Sequence, residues 1–178
     1  KKAGFFAWLV SLVLQIKKLT AHKFLVAVSV MSALLACAVD EVTSIIFILA
    51  LVFEICDYFE TDPTPFLILS ILATNIGSSG TVLGNPIGIL IASKSGLTFE
   101  DFIFKAFPLM LICLATLIVI VKFWYKRQLS DLDVKMKELG ANEILIKLIS
   151  VPPEKELKIS LAIFGVTLFF ISLHHRFE

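Results

Sequence analysis

Two adjacent carboxylates interrupt an otherwise apolar stretch of this chain. Asp40 and Glu41 separate the apolar runs 24–39 and 42–55. Carboxylates are costly in the hydrocarbon of a membrane, so those found there are functional by default. A carboxylate in a low-dielectric site is hard to charge alone, and it can exchange a proton against a cation. The pair therefore predicts a site that binds a cation or a proton.

A second polar cluster, Thr74–Thr81, lies between the apolar runs 66–73 and 82–92. Joined, these runs would make one membrane span of roughly 20 to 25 residues. Unwound backbone at membrane depth is tolerated only where it faces protein or a water-filled cavity, and there it can bind an ion or a small anion. The cluster predicts a discontinuous helix whose unwound glycines supply positive φ and a close approach to the substrate. The alternative is a packing seam of small residues, and the spacing of Gly80 and Gly84 fits that pattern.

The composition indicates a multi-pass membrane protein, which we expect in the cell membrane. Apolar residues make up 58% and charged residues 17% of the chain, against about 45–50% and 25% in soluble domains. The net charge of +1 gives no footprint for nucleic acid. The three cysteines show neither metal-ligand nor CxxC spacing, and we interpret them as small buried hydrophobic residues.

The block 24–55 has about 32 residues and would be about 48 Å long as one helix, too long for a single crossing. Cut at the acidic pair, each half has about 14 to 16 residues and is too short to cross. These lengths predict a re-entrant hairpin with the pair at its tip. The basic residues before the hairpin and those after the later span 107–121 then both lie on the cytoplasmic side. Two full crossings would give the same orientation.

The predicted fold is all-α and has three parts. Residues 1–127 contain an interfacial helix (4–16), the re-entrant hairpin, the broken helix and a transmembrane helix. Residues 128–157 form a cytoplasmic linker with surface helices, because their apolar residues recur at helical spacing. Residues 158–178 begin the next transmembrane segment.

Three motifs, Gly4–Leu9, Leu35–Ser44 and Asn75–Pro86, follow one another in an order that resembles a known group. They are similar to the N-terminal half of the ion transporter superfamily. That group contains the arsenite/antimonite efflux permeases, a class of sodium/proton antiporters, the melanosomal P protein, and the citrate and dicarboxylate carriers. The resemblance runs from about Gly4 to Pro108 and is strongest at Asn75–Pro86.

The resemblance implies an inverted-repeat transporter in which residues 1–127 form one half-repeat and the hairpin tip meets the broken helix near mid-membrane. Glu41 stands where the family usually has Asn, and Asn85-Pro86-Ile87-Gly88 stands where it usually has Asp-Pro-Pro-Asn or Thr-Pro-Pro-Asn. A coupling Na⁺ is expected near Asp40, Glu41 and Asn75. The candidate substrate- and ion-binding residues of the two motifs are Asp40, Glu41, Thr43, Ser44, Thr74, Asn75, Gly77, Ser78, Ser79, Gly80, Thr81, Asn85 and Pro86.

The predicted function is secondary active transport of a small ion coupled to Na⁺ or H⁺, with no other cofactor. Adjacent carboxylates repel dicarboxylates, so the sequence favours cation/proton exchange. The alternative is an anion carrier for arsenite/antimonite or citrate/dicarboxylate, in which backbone N–H groups of 77–80 hold the anion. A non-transporting membrane subunit or an intramembrane enzyme fits less well, because the paired motifs of aspartyl intramembrane proteases and a membrane-embedded His for a serine mechanism are absent from the sequence. The expected partners are the bilayer, the small ion, and a missing second half or a second copy in a homodimer.

Overall fold

The computed structural model describes residues 20–138 and, further along, residues 159, 162, 163 and 166. Its regular structure is entirely helical, and no strand occurs in this part of the chain, which confirms the all-α prediction. The helices are α1 (Ala21–Ala38), α2 (Glu41–Tyr58), α3 (Thr64–Ser78), α4 (Pro86–Ser95), α5 (Phe99–Trp124, with a π-helical turn at Phe102–Ala106) and α6 (Lys126–Glu138).

Two of these helices, α1 and α5, are long and apolar enough to cross a membrane, and α3 is a shorter apolar helix. Half of the apolar stretch of α1 is buried within the helical bundle, whereas only 11% of the stretch in α5 is buried. Large apolar side chains such as Leu109, Ile112 and Val119 are exposed on α5. An apolar surface of this extent is expected to face lipid or another protein surface.

Helices α1 and α2 form a helical hairpin, because only Val39 and Asp40 separate them and the two helices contact each other. Each has 18 residues and is therefore about 27 Å long. Both are longer than the predicted 14 to 16 residues, because each helix continues beyond its apolar run, to Ala21 in α1 and to Tyr58 in α2. This length suits a full crossing as well as a deep re-entrant loop, so re-entrance stays a prediction.

Two helices separated by non-helical backbone occur where the sequence predicted a discontinuous helix, but the break lies further along the chain than predicted. Helix α3 continues to Ser78 and α4 begins at Pro86, so the non-helical backbone comprises residues 79–85 instead of Thr74–Thr81. Polar residues are compatible with α3 because their hydroxyls find acceptors in its own backbone. The Ser70 hydroxyl donates to the Phe66 carbonyl at 2.6 Å, and the Thr74 hydroxyl donates to the Ser70 carbonyl.

The core lies between α1, α2 and α3, and α5 and α6 pack against its sides. Helix α6 buries Leu129, Leu132 and Met136, and its Asp133 carboxylate accepts a hydrogen bond from the Ala21 N–H at the start of α1. Residues 128–138 of the predicted linker therefore pack onto the bundle. The predicted interfacial helix 4–16 and the rest of the linker lie outside the described residues, as does most of the span expected from 158.

Candidate functional site

The hairpin turn, residues 39–40, begins α2 with a carboxylate. Asp40 has extended backbone, and its Oδ1 atom accepts a hydrogen bond from the Thr43 N–H at 2.7 Å. A side chain in this position satisfies one of the N–H groups that the first turn of a helix leaves unpaired. Asp40 is therefore the N-cap of α2, and Glu41 is the first residue of that helix.

The helix break, residues 79–85, ends in a similar cap. Asn85 has extended backbone, and its Oδ1 atom accepts a hydrogen bond from the Gly88 N–H at 2.7 Å. Pro86 follows at the first helical position, where its missing N–H costs nothing. The amide of Asn85 also donates to the Ser78 hydroxyl oxygen at 3.0 Å. This side chain therefore connects the start of α4 to the end of α3.

Ser78 joins the hairpin to the helix break. Its Oγ atom lies 3.3 Å from the Glu41 Oε2 atom and 3.0 Å from the Asn75 carbonyl oxygen. The hydroxyl has one proton, so it donates to one of these acceptors at a time. Ser78 is 1% exposed, whereas Glu41 is only half-buried. The chain Glu41–Ser78–Asn85 is the polar junction between the two predicted motifs, and below we call it the polar junction.

A second contact ties the end of α1 to the same region. The Thr81 hydroxyl donates to the Cys37 carbonyl at 2.6 Å, and the Cys37 thiol donates to the Gly77 carbonyl at 2.8 Å. Cys37 and Cys56 are buried, as the sequence predicted, whereas Cys113 is exposed and the prediction is wrong there. The part of Cys37 in joining α1 to the helix break was not predicted, because a lone cysteine in an apolar run gives no signal of its partner.

Ser44 is the other polar residue near the acidic pair that lies fully inside the bundle. It lies on α2 three positions after Glu41, and it is 1% exposed. Its hydroxyl is the one buried side-chain oxygen or nitrogen in the described part of the chain that has no hydrogen-bond partner. A buried hydroxyl without a partner costs about 1–3 kcal/mol, and a bound ion or water is an ordinary explanation for such a group.

Other candidate side chains point away from the polar junction. The Asn75 amide donates to the Ile71 carbonyl at 2.8 Å and is exposed, and the exposed Ser79 hydroxyl donates to the Ile76 carbonyl. Pro86 is exposed as well. Asn75 still takes part through its backbone, because its carbonyl oxygen accepts from Ser78.

The glycines serve close packing. A Cβ atom on Gly77 would lie 2.3 Å from the Ala33 carbonyl oxygen of α1, and one on Gly84 would lie 2.1 Å from the Ser78 carbonyl oxygen. Within the described residues Gly96 is the one glycine with positive φ, so the expectation of positive φ at Gly77 and Gly80 is wrong. The alternative prediction, a packing seam of small residues, describes Gly77, which packs closely against α1. That prediction was based on the spacing of Gly80 and Gly84, and not on Gly77.

The groups around the polar junction suit a proton or an alkali cation. They are a carboxylate, hydroxyl groups and backbone carbonyls, which are hard oxygen ligands. In the described part of the chain, no group of three or more His, Cys, Asp or Glu side chains could hold a metal ion. The first turn of α4 carries no acidic residue, and the dipole of the helix makes this end positive. Pro86 has no N–H, however, and the N–H groups of Gly88 and Ile89 already bond to Asn85.

Comparisons with known proteins agree with the membrane architecture. An uncharacterized transporter of Mycobacterium tuberculosis is 34% identical over 99 residues, which are 56% of this chain and 23% of that protein. Magnetosome protein MamN of Paramagnetospirillum magneticum is 25% identical over 130 residues, 73% of this chain and 29% of that protein. The P protein of Mus musculus is 28% identical over 122 residues, 66% of this chain and 14% of that protein.

The chain thus spans less than a third of the length of each of these relatives. No solved structure matches it. The profile of the citrate transporter family, CitMHS, matches residues 1–176, which is nearly the whole chain. The relatives and this match confirm the resemblance to the ion transporter superfamily, and the family and the first of these relatives carry the names of transporters. The chain is an integral membrane protein that belongs to the citrate transporter family.

Proposed function

We propose that this chain is part of an ion-coupled secondary active transporter, and that Glu41 carries the coupling proton or Na⁺. The observation that carries the proposal is the contact between the Glu41 carboxylate and Ser78. It joins the turn of one motif to the broken helix of the other. A carboxylate that bridges two elements can change the contact between them when it gains or loses a cation. Such a change is what alternating access requires.

Glu41 is the better carrier of the two acidic residues. Asp40 already accepts the Thr43 N–H, and this bond holds its carboxylate at the start of α2. Glu41 instead lies beside a buried hydroxyl, and a second, unpaired hydroxyl lies three positions further along the same helix, at Ser44. Together with the Asn75 carbonyl, these oxygens could replace part of the hydration shell of Na⁺. A proton on Glu41 would need only the carboxylate.

Cation/proton exchange remains the reaction that the acidic pair favours. Under this proposal the hairpin is re-entrant, and a second half or a second copy of the chain supplies a matching hairpin and broken helix. The second hairpin and the second broken helix would then close the site from the side opposite the polar junction. The support is that, in the described residues, a helical hairpin and a pair of helices separated by a break meet at the polar junction.

An anion such as citrate is the second candidate substrate. The description of the family favours it, and so does the absence of acidic residues from the first turn of α4. An anion at the start of α4 would lie close to Glu41. Binding would then require that a proton or Na⁺ neutralise this carboxylate, which would couple the anion to the cation in symport.

The test is Glu41→Gln in the full-length protein, reconstituted in proteoliposomes. We expect ion-driven transport to fall at least tenfold, equivalent to about 1.4 kcal/mol, with little change in thermal unfolding. The matched control is Glu54→Gln, an exposed position on the same helix, which should transport normally. Full transport by the Glu41 variant would overturn the proposal. Parallel assays with a Na⁺ gradient and with a citrate gradient, each read by an internal pH dye, distinguish exchange from symport.

A further inference from the structure

A groove of about 460 Å³ lies along the exposed side of α1, far along the helix from the hairpin turn. Its floor is almost entirely apolar, and its basic residues come from the first turn of α1 and the last turn of α5. The start of α1 and the end of α5 therefore lie on the same side of the bundle. The lining residues are His22, Lys23, Val26, Ala27, Val30 and Lys122.

The apolar part of the groove follows one stripe of α1. Val26, Ala27 and Val30 recur at helical spacing and are half-buried or exposed. Residues at this spacing share one face of a helix. The stripe is long enough for several methylene groups of an alkyl chain, and it lies on a helix long and apolar enough to cross a membrane.

The charged part of the groove lies where a phospholipid headgroup would be. Lys23 and Lys122 flank the mouth, and within the described residues no carboxylate lies within ion-pair distance of Lys122. The nearest acidic group that the structure ties to this end of α1 is Asp133, whose carboxylate accepts the Ala21 N–H. Lysines near helix ends extend to the interface, and basic pockets between membrane helices bind anionic headgroups.

We propose that this groove binds one anionic phospholipid of the leaflet that contacts the basic end of the bundle. The phosphate is held by Lys23 and Lys122, and one acyl chain lies along Val26, Ala27 and Val30. A free anion would make no use of the apolar floor, and a zwitterionic lipid would gain less from two lysines at the mouth, because its own cation offsets the charge of its phosphate. The combination fits a ligand with a phosphate at one end and a hydrocarbon chain at the other.

The test measures lipid binding by the full-length protein in detergent, by native mass spectrometry and by the rise in melting temperature on adding lipid. Phosphatidylglycerol should bind and stabilise, and phosphatidylcholine should do so much less. In the double variant Lys23→Gln/Lys122→Gln, affinity for phosphatidylglycerol should fall about tenfold or more, since each lysine near an anionic headgroup contributes appreciably. The matched control is Lys126→Gln, an exposed position four residues after Lys122 that does not line the groove.

Two further measurements separate the sources of the phosphate. Val30→Trp should fill the exposed part of the groove and weaken binding of the lipid while leaving both lysines in place. Soluble glycerol phosphate should compete poorly, because it lacks the acyl chain. Equal losses in the double variant and in Lys126→Gln would mean that only diffuse surface charge is involved, and the proposal would fail. It would also fail if Val30→Trp bound the lipid normally or if glycerol phosphate competed as well as the lipid.

Discussion

The hairpin turn and the helix break each provide the N-cap of the helix that follows, but they use different residues. Each ends in a residue of extended backbone whose side-chain oxygen accepts the N–H three positions along, at 2.7 Å in both cases. Each thereby begins a new helix, α2 after Asp40 and α4 after Asn85. The two caps differ in chemistry, since one is a carboxylate and the other is an amide.

That difference changes how each region reaches the polar junction. In the hairpin two neighbouring carboxylates each accept one hydrogen bond, Asp40 from the Thr43 N–H in the cap and Glu41 from the Ser78 hydroxyl. An amide both accepts and donates, so Asn85 caps α4 and contacts Ser78 with one side chain. The hairpin can therefore lose the contact between Glu41 and Ser78 and keep the cap at Asp40. At the break, the cap and the contact with Ser78 depend on the same residue, Asn85.

The largest effect should come from the crowded backbone of the helix break. In Gly84→Ala the new Cβ would lie 2.1 Å from the Ser78 carbonyl oxygen, so the backbone must move. We expect a loss of stability of up to about 3 kcal/mol, as for overpacked sites, measured as a drop in melting temperature in detergent. Val39→Ala in the exposed hairpin turn is the control and should change little. If Gly84→Ala and Val39→Ala had the same melting temperature, the close packing described for the helix break would be contradicted.

Next in size is the loss of the double role of Asn85. Asn85→Ala removes both the cap and the contact with Ser78, and we expect it to cost about 1–2 kcal/mol of stability and to impair transport. Asn85→Asp keeps an oxygen for the cap but cannot donate to Ser78, and it adds a carboxylate near Glu41. It should therefore retain most of the stability and lose transport. If both variants lost stability equally, the cap would not be separable from the polar junction.

Much of this arrangement could be predicted from the sequence. The acidic pair between two apolar runs indicated the hairpin and its turn, and the polar cluster indicated a broken helix. The boundary of the break was missed because hydropathy assigned Val82 and Leu83 to the second apolar run. The better signal was Asn85-Pro86, an N-cap residue followed by a proline at the first helical position. At the other boundary, the hydroxyl of Thr74 bonds back to the backbone, which makes a polar residue compatible with a continuing helix.

Contacts between distant segments could not be predicted in the same way. The approach of Gly77 to Ala33 depends on how α1 and α3 pack, and no local pattern specifies that distance. The same holds for Cys37, whose thiol donates to a carbonyl 40 positions away. The sequence alone showed which polar residues lie within apolar segments. The packing of the helices determines which of them contact one another.

A moderate effect is expected where α1 meets the break. Thr81→Val keeps the shape of the side chain but removes the hydroxyl that donates to the Cys37 carbonyl. Leaving that buried carbonyl unpaired should cost about 1–2 kcal/mol, seen as a lower melting temperature. Thr81→Ser retains the hydroxyl and is the control. A valine variant as stable as the serine variant would show that water replaces this bond, and that the break is more open than the packing around Thr81 indicates.

The smallest effect tests whether the hairpin turn really divides its two tasks. Asn is as good an N-cap as Asp, so Asp40→Asn should keep α2 capped and leave stability nearly unchanged. Asp40→Ala should cost about 1 kcal/mol, because the Thr43 N–H loses its partner. If Glu41 alone carries the coupling ion, Asp40→Asn should also keep most of the transport that Glu41→Gln loses. Loss of transport in Asp40→Asn with normal stability would show instead that both carboxylates share the ion, and the hairpin turn would then resemble the helix break, where one residue serves both the cap and the polar junction.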